Sequence, residues 1–433
     1  SLLFDCNNIS GRLFPYLGLL KSVVSFVDTE NYTFSDLNNE INIATGGFGW
    51  EMGIYNNQDD STRYSVLADL SVRVLYDNIG TAFDLMEEVL FTGRYDDRKR
   101  LYEIIAELKS KLQMILMGSG HIASVLRATS YFSESSMLKE KINGIEFYKF
   151  VEDLEKNFDD RYEELKDSLE EIMKTVIRPD GVLISCTADS EGMKLVKDRV
   201  SSFMEKLNAC AEGNGTIPSK GLPHFKDRSY DFAGSGFTLE RLNEAFKTSG
   251  TVNYIARAGR FADSIDDYTG ALSVFSTIMR FDYLWFNIRV QGGAYGCMCG
   301  SKPTGIMHFV TYRDPHISRS NEIFEGVPEF LESFDCDERE MTKYVIGTMS
   351  GVDTPLTPSL KGSRDIIGYL CGETTEVRQR VRDEIIDCSA EDIRNLAPQV
   401  KKALAGGNIC CLGCESRISE DSALFDSIRN LFE

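Results

Sequence analysis

The stretch Leu284-Trp285-Phe286-Asn287-Ile288-Arg289-Val290-Gln291-Gly292-Gly293-Ala294-Tyr295-Gly296 holds the residue types best suited to chemistry. The Arg289 guanidinium offers five donors in a planar fork, matched to carbonyl or carboxylate oxygens. Tyr295 offers one neutral hydroxyl donor. Together they are suited to hold a peptide main chain and to stabilise a developing oxyanion. Gly292 and Gly293 let the backbone approach another chain closely, or turn with positive φ. The same residues also read as a helix C-terminus, with Arg289 on its last carbonyls and Tyr295 packed beside a turn.

Other candidates are fewer. His121, His224, His308 and His316 are the four histidines, and no His-x-x-Glu-His occurs. A helical zinc pair at i and i+4 is impossible with these positions. His308 and His316 flank Tyr312-Arg313-Asp314 and are candidates to face a cleft. Cys411-Leu412-Gly413-Cys414 is a lone Cys-x-x-Cys beside Cys410, and Cys297 and Cys299 fall on one face of a strand. Both segments read as buried strands, so these thiols are expected in the core, and no metal is assigned to this chain.

The elements that must position Arg289 and Tyr295 follow from periodicity. Helices are expected over Arg12 to Val27 and Thr33 to Asn42, the second started by Thr33-Phe34-Ser35-Asp36. Strands follow near Gly47 to Tyr55 and Thr62 to Tyr76. Helices then run over Thr81 to Phe91, Asp97 to Met117 and Gly120 to Tyr131. One or two amphipathic helices span Glu146 to Lys174. A strand at Gly181 to Cys186 and a helix at Glu191 to Leu207 precede a linker, Glu212 to Pro218. The second part reads as a strand at Gly250 to Ala258, a helix at Thr269 to Asn287, the glycine turn and a strand pair. Helical blocks, a strand at Gly407 to Leu412 and a closing helix at Ser419 to Phe432 complete it.

Glycine turn, strand, helix and acidic helix start recur in the same order about 240 residues apart. Asp97 corresponds to Asp337 and Gly47 to Gly293, which sets Arg289 opposite Ile43 and Tyr295 opposite Gly49. The scaffold therefore needs neither side chain. The expectation is an α+β chain of two homologous domains, 1–215 with long helices near 134–175, and 216–433 carrying the Arg/Tyr pair. Each would be a largely antiparallel sheet with helices on one face.

Composition bounds the partners. Of 433 residues, 47 are Lys or Arg and 67 are Asp or Glu, a net charge of -20. So acidic a surface repels phosphate backbones and anionic lipid, which excludes nucleic acid as the main ligand and disfavours membranes. No apolar run approaches the roughly 18 residues that span a bilayer. The 11 cysteines, odd in number and without a framework, fit reduced thiols in the cytoplasm.

The stretch Leu284 to Gly296 resembles the presequence-protease-like members of the pitrilysin and insulin-degrading-enzyme type of zinc metallopeptidases, the inverzincins. The resemblance continues through Phe309 to Pro315, Gly347 to Asp353, Gly362 to Tyr369 and Glu376 to Arg380, and upstream through Leu37 to Gly47. It implies two half-clams, each of two α+β domains. Zinc and its motif lie in the amino-terminal half, and an arginine and a tyrosine come from the carboxy-terminal half. Here those positions match Arg289, which would grip substrate main chain, and Tyr295, which would hydrogen-bond the scissile carbonyl. Gly292 and Gly293 would give the peptide clearance.

The resemblance thus implies the carboxy-terminal half of a zinc oligopeptidase that degrades unfolded peptides in a closed chamber. Its partners would be the amino-terminal half of the same polypeptide and oligopeptide substrates. Alone it would be inactive, and the start at Ser1 is expected of a fragment. The alternative is a non-catalytic scaffold or peptide-binding subunit of the same fold.

Overall fold

In a computed structural model the chain is described for residues 1–58, 60–213, 224–264 and 267–432. The first half runs β1 (Leu2–Asp5), α1 (Phe14–Val23), α2 (Phe34–Ala44), β2 (Gly47–Asn56), β3 (Tyr64–Arg73), α3 (Ile79–Phe91), α4 (Arg98–Gly118), α5 (Gly120–Ser130), α6 (Glu134–Asn143), α7 (Ile145–Lys156), α8 (Phe158–Val176), β4 (Val182–Ile184) and α9 (Ser190–Gly213). The second runs β5 (Asn243–Thr248), β6 (Tyr254–Arg260), α10 (Gly270–Phe281), a π-helical turn (Trp285–Val290), β7 (Gly296–Ser301), β8 (Ile306–Tyr312), α11 (Ser318–Glu325) and α12 (Val327–Glu332). Then follow α13 (Glu338–Val352), α14 (Pro358–Cys371), α15 (Thr375–Ile386), α16 (Ala390–Arg394), α17 (Ala397–Leu404), β9 (Asn408–Cys414), α18 (Glu415–Glu420) and β10 (Ser427–Asn430).

The expected helix starts have the expected chemistry. Thr33 caps α2 by accepting from the Asp36 amide at 3.2 Å. Asp97 and Asp337, paired by the repeat, cap α4 and α13 through the Arg100 and Glu340 amides at 2.9 and 2.8 Å. The amphipathic stretch after Gly144 is two helices, α7 and α8, broken at Asn157. Of the expected linker, Glu212 and Gly213 end α9, and 214–218 lie outside the described residues.

The fold is α+β with largely antiparallel sheets. The first sheet has the order β2-β3-β1-β4, and the second β10-β5-β9-β6-β8-β7. Four strands of the second sheet, β7-β8-β6-β9, repeat the order and antiparallel sense of the first. The second sheet adds β5 and β10, both paired in parallel. The chain end differs from expectation. The predicted closing helix is the short α18, a turn, and β10. Helical spacing of Leu424, Ile428 and Leu431 misleads there, because residues 427–430 cover the outer edge of β5 instead.

Strand alternation sends each sheet's two faces into different cores. On β9, Cys410 and Leu412 join the core of the first half, whereas Ile409 and Cys411 join the core under α10 and α17. The second sheet is thus buried on both faces, and α5 of the first half lies against β6, β8 and β9. A smaller reciprocal contact sets Ile366 and Leu370 of α14 on Leu3 and Leu67 of the first sheet.

A buried charge cluster accompanies α5. The Arg127 guanidinium pairs with Glu244 of β5 at 2.7 Å and Glu146 of α7 at 3.0 Å, with Glu140 of α6 at 3.9 Å. Glu244 also accepts from the Tyr131 hydroxyl at 2.8 Å and from Arg429 of β10. Burial opposes ionisation of Glu244, but Arg127, Tyr131 and Arg429 outweigh it and hold its carboxyl below the usual range. Glu140 is fully buried and caps α7, accepting from the Ile145 and Glu146 amides at 2.8 and 3.2 Å. A Cβ on Gly144 would lie 1.8 Å from a Glu140 carboxylate oxygen, so only glycine fits there.

Burial lifts the Glu140 carboxyl from 4.5 to about 7, with Arg127 opposing the rise. A carboxyl whose pKa is higher folded than unfolded holds its proton more tightly when folded. Its stabilising effect is full below 4.5 and is lost as pH rises through about 7. Glu140→Gln removes that titration and leaves Glu146, Glu244, Tyr131, Cys410 and Arg429 in place. Urea unfolding from pH 5 to 8 should show wild type losing stability relative to the variant, by about 3 kcal/mol at most. A pH-independent difference contradicts this assignment.

Candidate functional site

Arg289 and Tyr295 are brought together by two different devices. Arg289 sits on the π-helical turn after α10, where the Gln291 amide bonds the Phe286 carbonyl five residues back at 2.9 Å. π turns of this kind interrupt helices mostly at functional positions. The helix expected to run from Thr269 to Asn287 is therefore divided, α10 ending at Phe281. Two glycines close the turn. Gly293 takes φ +78° while its amide bonds the Arg289 carbonyl at 3.0 Å, and the Ala294 amide bonds Ile288 at 3.1 Å. A Cβ on Gly292 would meet the Ile288 carbonyl oxygen at 2.4 Å. Both glycines thus answer to the turn; Gly292 is buried and Gly293 exposed.

Tyr295 is hung on the end of β8. Its amide bonds the Tyr312 carbonyl at 3.1 Å and the Arg313 carbonyl at 3.3 Å. Beyond that point the chain is locked by Asn253 and Asp314, which exchange backbone bonds of 2.8 and 2.9 Å. Asp314 is fully buried, with its side chain accepting from the Ser320 hydroxyl at 2.6 Å and the His316 amide at 2.9 Å. Burial raises the Asp314 carboxyl, against these bonds.

The side chains converge on one exposed patch. The Arg289 guanidinium lies 4.2 Å from the Trp285 ring centre and 5.4 Å from that of Tyr295. Tyr295 is 64% exposed. Trp285, Phe286 and Val290 are exposed beside it, an apolar border rare on a protein of this charge. Behind Tyr295 stand Tyr312 at 5.7 Å, Tyr254 and His121, each ring packed on the next. The Tyr254 hydroxyl donates to the Met117 carbonyl at 2.9 Å, and that of Tyr312 to Gly118 at 3.5 Å. The α4–α5 turn of the first half therefore buttresses the patch. Tyr312, Tyr254 and His121 are distant in sequence and share no motif, and only the β6–β8 pairing with α5 above it groups them.

The register also corrects the repeat. Gly47 pairs with Arg73 and Gly296 with Tyr312, and the Gly46 amide bonds Arg73 as that of Tyr295 bonds Tyr312. Tyr295 stands opposite Gly46, not Gly49. The double glycines are not equivalents: one pair opens a hairpin, the other ends a π turn.

The remaining candidates are dispersed. His308 lies on β8, where burial and then Lys302 push it down to about 4. His224 is exposed, and His316 follows Asp314. Burial lifts Cys297 to about 11, with Asp314 adding and Arg289 opposing, and lifts Cys299 to about 12. Cys410 and Cys411 face different cores and are raised by burial. Cys414 alone is lowered, by the Ser416 hydroxyl and then the Arg417 amide. Among the described residues no three His, Cys, Asp or Glu side chains gather as a metal requires, so these residues do not fit a zinc ion. No described helix is long and apolar enough to cross a membrane.

Gly292→Ala should lower unfolding stability by about 1–3 kcal/mol through its clash, and Gly293→Ala by about 1 kcal/mol through its φ. Denaturant titration checks both. Unchanged midpoints would mean that the turn does not need them.

Comparisons with known proteins agree with this fold and site. Residues 1–154 match the model of the domain associated with subfamily C of the M16 peptidases, and residues 243–413 match the PreP C-terminal domain. The chain is 32% identical to Protein HypA of Clostridium perfringens over 430 residues, covering 99% of this chain and 42% of that protein. It is 28% identical to Presequence protease 1, chloroplastic/mitochondrial, of Arabidopsis thaliana, over 92% of this chain and 35% of that protein. The chain thus spans less than half the length of these relatives. In fold it resembles pitrilysin, with TM-score 0.58 and 11% identity over 95% of this chain and 40% of that one. It also resembles the peptidase M16 inactive domain from Pseudomonas fluorescens, with TM-score 0.52 and 11% identity over 95% of this chain and 90% of that one. Models, relatives and fold converge on one conclusion: the chain belongs to the presequence-protease-like M16 peptidases, as their carboxy-terminal half.

Proposed function

We propose that this chain is the peptide-gripping half of a zinc-dependent oligopeptidase that degrades unfolded peptides in a closed chamber. Its partner would be a zinc-binding amino-terminal half. The observation that carries this reading is the convergence of Arg289 and Tyr295. A π turn and a strand end, built independently, hold a guanidinium and a phenol against each other on an exposed surface.

In this reading Arg289 donates to main-chain carbonyl oxygens of the peptide, and its stacking on Trp285 and Tyr295 restricts the fork's orientation. Tyr295 donates its hydroxyl hydrogen to the scissile carbonyl oxygen as negative charge develops there. Trp285, Phe286 and Val290 receive apolar side chains that an unfolded peptide exposes. Gly293 leaves an open border beside them, and Gly292 acts through the turn. β7 is the edge strand of its sheet, so extended main chain has a strand to lie along. Zinc, held in the other half, would activate the attacking water. Cytoplasmic residence remains the reading from the thiols, although some relatives are mitochondrial or chloroplastic by name.

In the enzyme carrying both halves, Tyr295→Phe should lower kcat/KM more than tenfold, as loss of one transition-state hydrogen bond requires. Arg289→Ala should raise KM. An unchanged Tyr295→Phe rate sinks the assigned role. This chain alone should hydrolyse no peptide and bind no stoichiometric zinc in a metal titration. One equivalent of tight zinc would overturn that and direct attention to the thiols.

A further inference from the structure

Arg313 is the one non-glycine residue with positive φ, +50°, among the described residues. Backbone energetics favour glycine at such a position, because a Cβ crowds the carbonyl there. An arginine held there points to a role for its side chain. The residue is exposed, and its guanidinium lies 5.4 Å from the Tyr312 ring centre, alongside the Tyr254 hydroxyl. Tyr312 in turn packs on Tyr295 at 5.7 Å. Arg289 and Arg313 therefore flank the same tyrosine from two sides.

Neither guanidinium has a carboxylate partner among the described residues. Elsewhere this acidic chain pairs many of its arginines, including Arg127, Arg161, Arg228, Arg257 and Arg378. Two unneutralised arginines around one exposed hydroxyl form a local cationic site on a surface of opposite overall sign, a site that concentrates anions. Arg289 is spoken for by its ring stacking and its place beside the turn. Arg313 has most of its donors unspent, directed to solvent.

We propose that Arg313 binds a carboxylate of the peptide, its C-terminal carboxylate or an acidic side chain, and so sets a preference among substrates. This rests on the peptide-binding reading above. Arg313 acts in binding, not in bond cleavage. Its expected signature is a change in KM confined to carboxylate-bearing peptides.

The test uses the enzyme carrying both halves and one unfolded peptide in four forms. These are the parent with a free C-terminus and one internal glutamate, its C-terminal amide, its Glu→Gln form, and a form with both changes. Arg313→Gln should raise KM for the parent about tenfold, leave KM for the doubly neutral form within twofold, and leave kcat unaltered for both. Whichever single change removes the effect identifies the carboxylate. Arg313→Gly suits φ +50° and should show the same pattern, which separates lost binding from misfolding. Arg313→Lys should recover part of the affinity. A uniform effect on all four peptides means a packing role on Tyr312 and overturns the proposal. No effect on any peptide, while Tyr295→Phe still impairs turnover, overturns it too and leaves the site's function standing. If Tyr295→Phe and Arg289→Ala also change nothing, the peptide-binding reading itself falls.

Discussion

One buried guanidinium holds the two halves to each other. Arg127 comes from α5 of the first half, and its best partner, Glu244, comes from β5 of the second. Glu140, Glu146, Tyr131 and Arg429 complete a cluster in which most charged atoms have an opposite neighbour. Such clusters add little net stability over well-packed apolar groups. Removal of one member, however, leaves the others buried and uncompensated, at about 3–5 kcal/mol. The cluster therefore acts as a specificity device: α5 can seat on the second sheet in one way only. With α5 seated, Cys410, Leu412, Ala256 and Val310 are sealed into the core of the first half.

The site inherits its geometry from that seating. Tyr254 and Tyr312 rise from the second sheet, and their hydroxyls reach carbonyls of the α4–α5 turn. Tyr295 leans on Tyr312, and Arg289 on Tyr295. The path from Arg127 to the exposed hydroxyl thus runs through contiguous rings and hydrogen bonds. The first half has the same four-strand order and the same hairpin, yet carries Gly46 where the second has Tyr295. Duplication supplied a scaffold, and the π turn and the strained Arg313 are what distinguish the second copy.

Much of this was legible from residues and spacing. Alternation located the β2–β3 and β7–β8 hairpins, and acidic or hydroxyl residues marked the starts of α2, α4 and α13. Arg289 and Tyr295 stood out because a lone charge and a phenol beside a double glycine are unusual at an apolar helix end. What stayed hidden depends on long-range pairing. β5 and β10 pair in parallel across more than 150 residues, and nothing local distinguishes Ser427–Asn430 from helix. The π turn adds residues without altering the apolar pattern, which put the repeat alignment three residues out of step. Tyr254, His121 and Arg313 joined the site only through β6–β8 pairing under α5.

The central claim is that α5 and the second sheet form one cooperative unit through Arg127. Hydrogen–deuterium exchange on Arg127→Met tests it most directly, since exchange reports opening element by element. The account predicts that amides of β5, β6 and β9 lose protection together with those of α5, α6 and α7. Loss confined to the first-half helices, with the second sheet as protected as in wild type, would contradict it.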